Sequence, residues 1–276
     1  ADKMKLEFSS GSFNTNKLNI EYKKRRKKWF YGSNLINKFS DGHRFNADSK
    51  IQRLQSFIKY NSKSGKNYRV NHLISFSEIG HPGFDLEGAN KYRRSSRISQ
   101  YIQLQNFYPI INGLSMSHSI FFHQFNTKYT NRTDIPSSWL QEHELDKETN
   151  YDDINIGLRS EIILTKLSRW IIMAGYDIDW TQSNVDLLNQ QYDKPKQLSA
   201  GGFLQSKYSI GSGLSFNTGI RYDYRKTIPG NNFINRVYNQ ITPKISLNYN
   251  INLKKKMVFS YSQGFRAPSI SELYLS

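Results

Sequence analysis

The feature that most constrains this chain is where its connections place their length. About thirteen segments of alternating polarity run near 3–10, 15–23, 28–40, 51–60, 67–77, 97–107, 113–125, 152–164, 169–181, 199–209, 213–225, 240–252 and 256–263. The link after the first segment is short and stands outside the pattern. From the second on, short links at 24–27, 61–66, 108–112, 165–168, 210–212 and 253–255 alternate without a break with long ones at 41–50, 78–96, 126–151, 182–198 and 226–239. A soluble meander has no physical reason to put all its length at one end. A barrel that crosses a membrane does, since its turns on one side are short and its loops on the other are long.

The segments themselves carry the matching signal. Leu18, Ile20 and Tyr22 share one parity, with Lys17, Asn19, Glu21 and Lys23 on the other. Trp170, Ile172, Ala174, Tyr176, Ile178 and Trp180 oppose Arg169, Asp177 and Asp179, and Ile245, Leu247, Tyr249 and Ile251 oppose Lys244, Ser246, Asn248 and Asn250. Side chains alternate across a strand, so each segment has one oily and one wet face. Three polar residues, His72, Gln100 and His118, interrupt the apolar parity of their segments. Each segment is roughly ten residues long, enough for a tilted strand to cross a bilayer, whereas strands of soluble proteins are typically about five or six. The fold class expected is all-β: an antiparallel transmembrane β-barrel, read as one domain over 1–276.

Composition is permissive by comparison. No run of 18 apolar residues is present, which excludes a transmembrane helix and leaves a barrel open. The chain lacks cysteine, which removes disulfides and thiolate chemistry. A net charge of +17 raises nucleic acid as a partner, but the densest run, Lys23 to Lys28, falls where a hairpin turn belongs and reads as solvated. No nucleic-acid partner is expected. Short turns face the periplasm in such barrels, which places this run there. Trp29, Tyr31, Tyr108, Trp170, Trp180 and Tyr224, near segment ends, suit interfacial aromatic girdles.

Three C-terminal segments resemble, in order and spacing, the barrel of TonB-dependent outer-membrane receptors. Gly219-Ile220-Arg221-Tyr222-Asp223-Tyr224 is similar to the family's glycine–apolar–arginine–tyrosine–aspartate strand. Thr242-Pro243-Lys244-Ile245 resembles the proline-opened strand after it. Tyr261 to Tyr274 resembles the family's box, with Gly264, Phe265, Arg266, Ala267, Pro268, Glu272 and Tyr274 as its motif residues. Gly11 to Thr15, running into Tyr22, is similar to the first barrel hairpin; Phe39 to Gly42 and Gly80 to Gly83 are weaker likenesses.

The resemblance implies thirteen strands of a presumed 22-stranded barrel, without its plug and closing strands. It also implies active import of a ferric siderophore, haem or cobalamin, driven through TonB acting on the plug, in the outer membrane of a Gram-negative bacterium with lipid and lipopolysaccharide around the wall. No catalysis, cofactor or resident metal is implied. Candidate ligand contacts are His43, His81 and His143, expected in extracellular loops, and Arg93, Arg94 and Arg97, expected with Lys91 and Tyr92 at the end of one loop. Guanidinium groups suit siderophore carboxylates, haem propionates and lipopolysaccharide alike. Asp152, Asp153, Asp177 and Asp179 are read as lining a wet lumen or a strand end rather than as metal or acid–base pairs, and Gly264, Arg266 and Pro268 as structural, through a bend, a lumen pairing and the end of strand pairing. A passive porin shares the alternation without explaining the box. A soluble basic β-protein binding glycan or nucleic acid is the remaining alternative.

Overall fold

The computed structural model describes residues 2–44, 46–81, 93–131, 148–185, 194–211, 213–229, 234–252, 254–270 and 273. They form one antiparallel sheet of thirteen strands in which every neighbour in sequence is a neighbour in space. The strands are β1 (Lys3–Gly11), β2 (Thr15–Arg26), β3 (Trp29–Ser40), β4 (Ser49–Asn61), β5 (Asn67–His81), β6 (Arg93–Ile111) and β7 (Leu114–Asn131). They continue as β8 (Glu148–Leu164), β9 (Trp170–Val185), β10 (Lys196–Ser209), β11 (Leu214–Ile228), β12 (Arg236–Asn252) and β13 (Lys255–Ser262). The short turns all lie at one end of the sheet, and the long loops lie with the β1–β2 turn at the other. Two short turns use backbone conformations that suit tight hairpins: Lys27 has φ 50° and Gly113 has φ 78°.

Among the described residues no second layer of secondary structure packs on the sheet. Their buried apolar side chains are few: Ala267 at 4% exposure, Ile270 at 7%, and the prolines Pro195 and Pro229. The apolar parity lies bare on the outer face. Register sets Leu6 beside Ile20, Ile20 beside Leu35, Leu35 beside Leu54 and Leu54 beside Ile74. In water each such side chain forgoes about 1.5–3 kcal/mol of burial; a continuous band of them is stable only against hydrocarbon. Aromatic pairs mark the short-turn rim of this band, with ring centroids 4.9 Å apart for Trp29–Tyr60 and 4.5 Å for Trp170–Tyr208.

The opposite face is polar and concave. One cavity of about 480 Å³ is lined by Lys59, Arg69, Gln103, Ser119, Arg159, Asp177 and Phe203, contributed by seven consecutive strands from β4 to β10. Such a meeting requires the sheet to curl around that face. The basic run is only partly turn: Lys23 to Arg26 finish β2, where Lys23 pairs with Glu21 and Lys24 with Asp2, and Lys27–Lys28 alone make the turn.

The three exceptions keep the expected parity. His72 faces outward between Ser56 and Ile102, and Gln100 lies beside Gln124. His118 Nε2 is satisfied by the Tyr108 hydroxyl at 3.0 Å, close to the short-turn rim.

Two expectations are corrected. Pro243 does not open its strand but lies within β12. The main-chain groups of one residue in an antiparallel ladder point to the same neighbour. Pro243 O accepts from Gln263 N at 3.1 Å, one residue past the end of β13. The missing proline N–H therefore faces the place where β13 leaves the sheet and breaks no ladder bond. Gly264, for its part, supplies no special bend: its φ is not positive, and a Cβ there would meet nothing within 4 Å.

Candidate functional site

Functional groups converge on the concave wall and at its long-loop mouth. Midway up the wall, Arg221 of β11 gives a bidentate pair to Asp177 of β9 (2.9 and 3.1 Å) and donates through Nε to Asp223 at 2.8 Å. The intervening strand makes this reach possible, because Gly201 of β10 is the residue between Asp177 and Asp223 in register. A Cβ at Gly201 would stand 2.2 Å from Arg221 Nη2. The expectation that Asp177 lines a polar lumen therefore holds, with a defined partner.

On β6 to β8 the wall changes character. Phe121, His123 and Phe125 take successive inward positions of β7, and Tyr101 of β6 pairs with His123. Phe125–His123 centroids are 5.2 Å apart, His123–Tyr101 5.8 Å and Tyr101–Phe121 6.2 Å. Arg97 sits 5.3 Å from the Phe125 ring and Arg159 5.4 Å from the Phe121 ring. Level with Phe125 in register, Asp153 accepts from the Ser183 hydroxyl.

At the long-loop rim, Asn46 holds β5 and β6 together, donating through Nδ2 to His81 O at 3.2 Å and Arg93 O at 2.8 Å. Gly80 N donates to Asp48 O at 2.9 Å, and a Cβ at Gly80 would lie 2.4 Å from Asn46 O, so only glycine admits this approach. The clasp carries a second arginine cluster: Arg94 makes a bidentate pair with Asp48 (3.0 and 2.7 Å) and reaches Glu78 at 3.3 Å. The Arg94 guanidinium holds the Asp48 carboxyl below the usual carboxylate range, against the opposing effect of partial burial.

The candidate residues separate accordingly. His81 is not in a loop but ends β5, facing inward, with Nε2 at 2.8 Å from Ser95 Oγ and its ring 5.8 Å from Tyr129. Arg93, Arg94 and Arg97 are likewise not a loop patch. All three belong to β6, so Arg94 faces out while Arg93 and Arg97 face in. His43 is in a loop as expected, its ring 6.1 Å from that of Phe13. Phe13 and Asn14, at the tip of the first hairpin, both have positive φ (58° and 49°). His143, Lys91, Tyr92, Glu272 and Tyr274 lie outside the described residues.

The box folds onto the inner wall. Past β13, Ala267 O accepts from Arg225 Nη1 at 3.0 Å and Pro268 O from Gln197 Nε2 at 3.4 Å. Thr227, beneath this strap, is fully buried at 0% exposure. Phe265 is half-buried and Arg266 exposed. Sequence reasoning missed the Phe121–His123–Phe125 stripe, although aromatics in the polar parity of a segment were visible as its signal. Among the described residues no group of three metal-ligating side chains is clustered.

A family model described as "TonB dependent receptor-like, beta-barrel" matches residues 6–276. No curated protein matches the chain by sequence. Among solved structures, the copper transporter OprC aligns with a TM-score of 0.85 at 10% identity, covering 100% of this chain and 48% of that one. The FrpB iron transporter of Neisseria meningitidis aligns at 0.76 and 8% identity, covering 95% and 46%. FpvA of P. aeruginosa, solved with bound pyoverdine and iron, aligns at 0.73 and 10% identity, covering 91% and 40%. At these identities the likeness is one of fold, and the chain spans about half the length of the structures it matches.

Proposed function

Because this chain belongs to the TonB-dependent receptor family of β-barrels, we propose that it is wall of an active importer in a Gram-negative outer membrane, carrying a ferric siderophore, haem or cobalamin. The observation that carries the reading is the pairing of a bare apolar outer face with a polar concave face across all thirteen strands. It fits a cylinder with lipid outside and water inside. Transport by such a wall needs no bond chemistry of its own, and TonB would act on a plug domain rather than on these strands.

Within this reading the long-loop end is extracellular. The inward His81, Arg93 and Arg97 are then the candidate residues placed to meet a ligand entering the mouth. Arg94, facing out with Asp48 and Glu78, is placed at lipopolysaccharide head groups instead. His43, packed beside Phe13 on the rim, is positioned for loop packing rather than for the lumen. The box residues Gly264 to Pro268 act as a structural strap.

Growth under iron limitation tests the proposal. Cells dependent on the complete receptor are supplied with haem or single siderophores, alongside a cobalamin-dependent culture, with and without TonB. Rescue by at least one ligand, lost without TonB, is expected. TonB-independent rescue would leave a passive pore and overturn it.

A further inference from the structure

A barrel lumen is ordinarily lined with small and polar side chains, and four inward positions of β6 and β7 depart from that rule. Phe121, His123 and Phe125 recur about every 7 Å along β7, and with Tyr101 they form an unbroken run of ring contacts of 5.2–6.2 Å. A guanidinium closes each end, Arg97 on Phe125 and Arg159 on Phe121. The backbone is cleared to seat this run: a Cβ at Gly157, opposite Phe121 in register, would lie 2.3 Å from the Phe121 ring.

The charge is mostly positive, with Asp153, beside Phe125 in register, as the carboxylate at the upper end of the run. Among the described residues no carboxylate lies within salt-bridge distance of Arg97 or Arg159, and both arginines are exposed. Arg159 also borders the cavity of about 480 Å³, where Lys59 and Arg69 add positive charge. Of the acids there, Asp177 is taken up by Arg221, which leaves Glu161 against three cations. The wall thus offers π faces ending in guanidinium groups that make no salt bridge among the described residues, from near the mouth down into a basic recess.

We propose that this stripe is a contact track for an aromatic, anionic iron chelate, one whose donor oxygens are carried on aromatic rings. Flat rings stack on Phe, Tyr and His faces, and the negative charge is drawn to the flanking guanidinium groups. A neutral aliphatic chelate gains neither contact. The inference rests on the importer reading and narrows its substrate class.

The test uses the complete receptor in detergent with two probes, a hexadentate tris-catecholate iron complex and a neutral hexadentate trihydroxamate iron complex. Binding is followed by quenching of protein fluorescence. The wild type is expected to bind the catecholate complex at least about tenfold more tightly. Phe121→Leu, Phe125→Leu, Arg97→Gln and Arg159→Gln should each weaken it about three- to tenfold, the scale of one stacking or cation–π contact, while trihydroxamate binding stays level. Unchanged catecholate binding in all four variants, or parallel loss of both probes, overturns the track and leaves a packing surface. The two readings fail separately. Catecholate binding without TonB-dependent uptake supports the track and overturns the importer; TonB-dependent uptake of haem without catecholate binding does the reverse.

Discussion

Two arginines in this sheet each grip two carboxylates, and the contrast between them shows how the same chemistry is built from different parts of a barrel. Arg221 sits mid-wall on the concave face, and both partners, Asp177 and Asp223, are held by strand register. Arg94 sits at the long-loop rim on the outer face, and its main partner, Asp48, precedes β4 and is placed by a loop clasp. Solvent reaches them comparably, with 36% exposure for the Arg221 side chain and 30% for Arg94. What differs is what holds the geometry. On the wall it comes with the sheet. At the rim it depends on a few backbone contacts around one glycine.

Those glycines give the sharpest way to break the comparison. Gly80→Ala at the rim drives a Cβ against the Asn46 main chain, which has no free end to swing away. The clasp must open, at a cost of about 2–4 kcal/mol. Limited proteolysis should then cut the 41–48 loop much faster than in the wild type, while the paired strands stay uncut. Gly201→Ala meets only the end of a flexible guanidinium. It should displace Arg221 from Asp177 at a smaller cost, about 1–2 kcal/mol, read as a lowered unfolding midpoint in detergent. Equal effects at the two sites would remove the distinction between register-held and loop-held clusters.

How much of this could be read beforehand follows the same division. The wall was legible because a strand with lipid on one side must alternate every second residue, so Asp177 and Arg221 could be assigned to the lumen face from parity alone. The rim was not. Beyond the hydrocarbon, strands keep pairing in water, where the main-chain ladder continues without any apolar pattern to betray it. Arg93, Arg94 and Arg97 therefore looked like one loop patch, whereas β6 begins at Arg93 and deals them to opposite faces. His81 was misplaced for the same reason. The aromatic stripe was hidden differently: Phe122, on the lipid side, sits between Phe121 and His123, so the run looked like one hydrophobic stretch. The role of Pro243 needed knowledge of where the neighbouring strand ends, which no local pattern holds.

A smaller effect separates the two pairs energetically. In a double-mutant cycle, Arg221→Met with Asp177→Asn should give a coupling of about 1–2 kcal/mol, since a bidentate pair fixed by register loses little side-chain entropy on forming. The cycle of Arg94→Met with Asp48→Asn should give less than about 1 kcal/mol, the range of exposed pairs. Both are measured by urea unfolding of the complete protein in lipid vesicles. A rim coupling as large as the wall coupling would mean that the clasp orders Asp48 as firmly as a strand does.

The smallest effect is a pH dependence confined to the rim. Asp48 has its carboxyl lowered from the ordinary 3.8, chiefly by the hydrogen bonds from Arg94. A group depressed in the folded state contributes stability that is fully present above its unfolded value and is lost as pH falls through its folded value. Between pH 8 and 5 the stability difference between wild type and Asp48→Asn should therefore stay flat, and it should shrink only below about pH 4. Proteolytic release at the 41–48 loop, followed in both proteins over that range with an acid-tolerant protease, reads the difference directly. A difference that stays level even below about pH 4 would mean that Asp48 is not held low, and the loop clasp would then owe its strength to Asn46 and Gly80 alone.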